Sequence, residues 1–269
     1  MAITFKDLFG KQELIDLSII IIALGFAFSF RFDGPATLGN WFSNLILVLM
    51  LVLISVIVHE AVHKLIGRKF LVDVKTLLWP SGIITLLVLS IITFGWFVFA
   101  APWAVAMKPL RKGQFARPHT TLTLRQMGLI ALAGPMANLG LAIIAKILAP
   151  ALGLVADKLI LINVSLAVFN LFPFFTVIPI FIAQRLSAKR LDAPYVEGEF
   201  VFFASRPLWV FVFFFTLVTG LSLLFLSLTS SLIIAVLTAG TIWVIWHYLL
   251  EPEIMPGAEA KGPSFKKYK

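Results

Sequence analysis

Apolar runs of spanning length recur along the chain, divided by short segments rich in Lys and Arg. They cover Leu17–Phe30, Trp41–Ile66, Thr123–Leu148, Lys158–Ala183, Leu208–Leu228 and Ser231–Leu250. A helix needs about 20 such residues to cross the hydrocarbon core, so the first run is short and depends on its flanks. A further apolar stretch, Leu77–Met107, is interrupted by Trp79-Pro80-Ser81-Gly82, Gly95 and Pro102.

The basic residues set the expected topology. Lys6 and Lys11 precede the first run, and Lys64, Arg68, Lys69 and Lys75 follow the second. Lys108, Arg111, Lys112 and Arg117 precede the third. Arg185, Lys189, Arg190 and Arg206 separate the fourth and fifth, and Lys261, Lys266, Lys267 and Lys269 end the chain. Positive loops favour the cytoplasmic side. All of these clusters share that side only if Leu77–Met107 crosses the membrane an even number of times, which predicts a re-entrant or β-hairpin element there. The expected fold is therefore an all-α polytopic membrane protein. It has about six transmembrane helices, with that element between the second and third. Both termini are expected to be cytoplasmic. Residues 1–250 form a single transmembrane domain and 251–269 a flexible tail. Met1–Glu13 carries mixed charge and no clear small-residue cleavage site, so no removable signal peptide is expected.

Composition agrees. Hydrophobic residues make up 60% of the chain and charged residues 13%, against about 25% charged in soluble domains. The net charge of +9 is explained by topology and by contact with anionic lipid headgroups. No basic–aromatic platform for nucleic acid is visible. The absence of cysteine excludes disulfides, iron–sulfur clusters and thiolate zinc sites. A small chain of this kind suggests the cell membrane of a prokaryote.

Within the second run stands His59-Glu60-Ala61-Val62-His63. An ionisable residue at membrane depth costs about 2.5–3.5 kcal/mol on insertion scales, so three in five positions need compensation. On a helix, His59 and His63 share one face. Two imidazoles so placed can grip one Zn²⁺, with the intervening glutamate as general base. The competing reading is a set of interfacial side chains snorkelling at a helix end.

Two more segments carry polar groups. Leu132-Ala133-Gly134-Pro135-Met136-Ala137-Asn138 offers small residues for close helix approach and one amide, Asn138. Taken alone it reads as a packing motif. Phe169-Asn170-Leu171-Phe172-Pro173 places Asn170 just before a proline expected to kink the fourth helix.

Taken in order, these segments resemble the site-2 protease family of intramembrane zinc metalloproteases. The resemblance covers about residues 55–181, within a protease-like core of about 41–183. Val56-Ile57-Val58-His59-Glu60-Ala61-Val62-His63 is similar to the family's metal helix. Phe99-Ala100-Ala101-Pro102 with Lys108-Pro109 is similar to its intervening segment, and Ala131–Asn138 to its Gly-Pro-x-x-Asn helix. Phe169–Pro173 is similar to the start of its Asn/Pro…Asp-Gly helix. The resemblance implies a three-helix core with Zn²⁺ near the cytosolic side. It also implies cleavage of single-span membrane protein substrates, as in regulated intramembrane proteolysis. Glu60 would be catalytic, His59 and His63 metal ligands, and Asn138 and Asn170 substrate-binding or oxyanion groups.

The family's third ligand is the Asp of the Asp-Gly pair. Counted from Asn170 and Pro173, that pair falls on Ile178-Pro179, and no Asp or Glu lies between Lys158 and Lys189. Candidates to complete the site are His247 at the end of the last run, Asp192, Glu197 and Glu199 after the fourth, and His119 before the third. Each also reads as an ordinary interfacial or solvated residue, and His247 is retained as the candidate in line with known three-His zinc sites. The missing Asp raises an alternative: a catalytically inactive homologue that binds membrane-helix clients without cleaving them. A proton or ion relay is a third reading, but the chain lacks the repeated halves of transporters.

Overall fold

The computed structural model describes residues 9–31, 37–110, 122–173 and 196–250. Among these, six helices are long and apolar enough to cross a membrane. The chain is a polytopic, mainly α-helical membrane protein, as the pattern predicts.

Helix α1 (Lys11–Ser29) packs along α2 (Leu38–Lys69). At 32 residues, α2 is about 48 Å long and exceeds the hydrocarbon thickness. Thr37 caps its start by accepting from the Asn40 N–H, which meets the demand of an otherwise orphan donor. Asn44 ties the two helices together by donating to the carbonyls of Ser29 and Arg31. Leu71 adopts a left-handed φ of 58° and turns the chain directly from α2 into a strand.

That strand, β1 (Val72–Leu78), pairs antiparallel with β2 (Trp103–Pro109). Leu77 lies opposite Ala104, and Leu78 opposite Trp103. Between them runs a short apolar helix, α3 (Pro80–Ile92), which packs on α1 and starts with Pro80 at a position that needs no N–H. The stretch Leu77–Met107 therefore leaves one end of the bundle and returns to it, combining strands at its base with a helix between. Val72, Val74 and Thr76 of β1 are buried while Lys75 is exposed, the alternation expected of a half-buried strand.

Helix α4 (Leu124–Ile147) is the hub of the second half. It contacts α2, a longer helix α6 (Leu154–Leu171) and a short helix α7 (Glu197–Ala204). A four-residue helix, α5 (Ala149–Leu152), links α4 to α6. Thr123 and Gln126 form a reciprocal capping box at the start of α4. Asn163 of α6 donates to the Ser55 hydroxyl of α2 at 2.9 Å, an inter-helix bond of the kind that replaces hydrophobic driving force in lipid. The last spans are α8 (Arg206–Leu223) and α9 (Leu228–Ile245), the latter extended by a π turn to Leu250. Helix α9 packs mainly on α8.

The helix of the fourth run ends at Leu171, and Phe172 is extended at φ −77°, ψ 126°. The ring of a proline disfavours the α conformation in the residue before it, which ends the helix ahead of Pro173. Residues 174–183, counted in that run, lie outside the described residues, as does the tail 251–269.

Candidate metal centre

Helical periodicity brings His59 and His63 onto the face of α2 that meets α4, and both are fully buried. The third partner is Glu197, the first residue of α7. The Glu197 Oε1 lies 2.9 Å from His59 Nε2 and 3.1 Å from His63 Nε2, and the two Nε2 atoms are 3.1 Å apart. Ligands bound at about 2.05 Å to a tetrahedral Zn²⁺ stand about 3.3 Å from one another, close to this triangle. His63 Nδ1 lies 2.7 Å from the Ile130 carbonyl. The proton on that nitrogen is thereby committed, leaving the Nε2 lone pair directed at the triangle, the usual outer-shell device for a metal-binding histidine. The three atoms stand at hydrogen-bond distance from one another, a spacing that either a bridging proton or a cation among them satisfies. The donor set fits a divalent ion, and the residues that would hold it are His59, His63 and Glu197.

Charge at Glu197 suits that role. Burial pushes its carboxyl up, but the two histidines beside it outweigh burial by charge and hydrogen bonding and hold it at about 2. Trp103 of β2 adds a weak N–H donor to the same Oε1 at 3.4 Å and packs its ring edge-on against His59 at 5.5 Å.

Helix α7 is seated with little clearance. A Cβ on Gly198 would lie 2.2 Å from the Leu171 carbonyl oxygen, so only glycine lets α7 rest against the end of α6. Trp209 donates to the same carbonyl at 2.8 Å. The break before Pro173 thus supplies the carbonyl that receives α7 and sets the position of Glu197.

Glu60 points to a different contact. Its Oε2 accepts from the Thr76 hydroxyl of β1, and its Oε1 makes no hydrogen bond to any described residue. One oxygen is anchored and the other is available, the arrangement a general base requires.

Gly134 explains the small-residue motif of α4. A Cβ there would fall 2.2 Å from His63 Nε2 and 2.5 Å from His59 Nε2, so the glycine forms the floor of the centre. Asn138 lies one helical turn further on the same face. It is fully buried, and neither amide atom bonds to a described residue. Asn170 is also buried, but its Nδ2 donates within its own helix to Leu166 O at 2.9 Å.

The remaining candidates separate clearly. His247 is not part of the cluster; its ring stacks on Trp243 at 5.5 Å, on a helix that packs on α8 rather than on α2. Glu199 is buried two positions beyond Glu197 but does not join the cluster. His119, Ile178, Pro179 and Asp192 lie outside the described residues. Glu197 was one candidate among several in sequence, and Thr76 and Trp103 gave no signal, because all three depend on packing between distant segments.

No protein-family model, curated protein or solved structure matches the chain. The chemistry of the centre therefore stands on its own residues.

Gly134→Ala tests the floor of the site. Alanine is the better helix former by about 1 kcal/mol, so α4 itself is not weakened, yet the added carbon must displace the imidazoles. Zinc affinity measured by competition with a chelating dye is expected to fall by about 10–100-fold. Wild-type affinity in Gly134→Ala would mean that the rings have room the structure does not show.

Proposed function

We propose that the protein is a zinc-dependent intramembrane endopeptidase of the site-2 protease type, cleaving peptide bonds of single-span membrane proteins. The observation that carries this reading is the buried triangle of His59, His63 and Glu197, with Glu60 anchored at one oxygen beside it. Glu197 supplies the third ligand in place of the Asp expected at Ile178.

Zn²⁺, when bound, would polarise the scissile carbonyl and acidify the attacking water. Glu60 takes the proton of that water on its available Oε1, while Thr76 keeps Oε2 fixed, and passes the proton to the leaving amine. Asn138, buried and without a hydrogen bond to any described residue, offers an amide that can pair with the backbone of the cleaved peptide. A substrate helix must unwind locally to present its carbonyl, because that group is already engaged within the helix.

The test uses wild-type protein in liposomes with dye–quencher peptides that carry one leucine-rich span interrupted by a Gly-Pro break. Cleavage is expected to stop with a membrane-permeable zinc chelator and to return on adding Zn²⁺. Full cleavage in excess chelator would refute a metal mechanism. Saturable peptide binding without product, in protein loaded with zinc, would instead assign the chain to client binding.

A further inference from the structure

A second buried charged group is linked to the centre through β1, and the proposed chemistry leaves it unused. Glu13, in the first turn of α1, is 8% exposed, and Lys64 of α2 is 5% exposed. Their ion pair is 2.6 Å long. Glu13 Oε1 also accepts from the backbone N–H of Thr76 at 3.0 Å, and Lys64 Nζ donates to the Val74 carbonyl at 2.7 Å. Glu13 Oε2 caps α1 through the Gly10 N–H at 3.4 Å. The pair therefore grips β1 at two backbone positions, and one of them belongs to the residue whose hydroxyl anchors Glu60.

Burying a salt bridge rarely adds stability over well-packed apolar residues, so its retention calls for another role. The geometry points to Glu13, with Lys64, as a positioning residue: it fixes the height of β1 so that Thr76 presents its hydroxyl to Glu60. The carboxylate acts through the strand and touches neither the metal ligands nor the reacting atoms. This inference rests on the protease reading for its catalytic consequence, but the grip on Thr76 can be measured without it.

Removing Glu13 alone would strand the Lys64 ammonium and risks unfolding. The informative variant is Glu13→Leu/Lys64→Met, which removes both charges and keeps the apolar volume. Among the described residues the Thr76 amide donates to Glu13, while β1 pairs with β2 through its other edge. In the double variant, hydrogen exchange at the Thr76 amide, read by peptide mass spectrometry, is expected to accelerate by about tenfold or more. With the Gly-Pro peptide in liposomes, kcat is expected to fall about tenfold at unchanged KM and unchanged zinc content. Glu13→Gln/Lys64→Met keeps an acceptor for the Thr76 amide without leaving an unpaired ammonium, and is expected to retain most of both properties. Unchanged protection of Thr76 in the double variant would overturn the proposal. So would a loss of kcat that merely tracks loss of zinc, which marks a general structural role. Faster exchange in a protein whose wild type cleaves no peptide would uphold the grip and remove the protease reading instead.

Discussion

Glu197→Ala is expected to strip the protein of zinc while leaving it folded. The triangle consists of three side chains, and removing the carboxylate leaves two imidazoles, one fewer than the protein ligands of established catalytic zinc sites. Outer-shell substitutions alone cost 10–100-fold in metal affinity, so loss of a ligand should exceed about 100-fold. The fold should persist because Gly198, Trp209 and the Leu171 carbonyl still seat α7. Elemental mass spectrometry on gently purified protein decides the matter, with His59→Ala as the metal-free control. His247→Ala is expected to keep its zinc. One zinc per chain in Glu197→Ala, or its loss in His247→Ala, would show that the third ligand has been misassigned.

Glu60→Gln is expected to reduce cleavage by about 10²–10⁴-fold, the range for loss of a general base, with zinc content unchanged. The separation of effects follows from geometry: Glu60 is not one of the three converging groups, and glutamine can still accept from the Thr76 hydroxyl through its carbonyl oxygen. The substitution therefore removes proton transfer while preserving the contact that orients the side chain. Single-turnover cleavage in liposomes, beside a zinc assay on the same preparation, measures both. Cleavage by Glu60→Gln at the wild-type rate would require a different base.

The parts of this molecule that were legible in sequence are those encoded within one element. Spacing of four residues places His59 and His63 together on any α-helix, and the length of apolar runs declares the spans. The return of Leu77–Met107 to its starting side followed from the distribution of Lys and Arg. What could not be read depends on contact between elements. Glu197 lies 138 residues from His59 and sits on an eight-residue helix, too short to declare itself by periodicity. Thr76 reaches Glu60 because β1 turns its alternate residues inward, and Trp103 reaches Glu197 because of its place on β2. The glycine of the Gly-Pro segment was visible as a small residue, but its meeting with two imidazoles required the helix crossing. The helix end at Leu171 was hidden for a related reason: hydropathy runs on through Pro173, whereas the residue before a proline is pushed out of the α conformation.

The seating of α7 has a consequence for how the protein is made. A membrane protein enters the bilayer from its N-terminal end, so His59 and His63 are in place four spans before synthesis is complete. The third candidate ligand, Glu197, follows only after the fourth span has ended and α7 has docked on it. A half-made chain thus has two weak donors and no means of retaining an ion, and tight binding arises only once the distant segments have come together. Because metal binding energy is folding energy for any site absent from the unfolded chain, the ion would reward correct assembly.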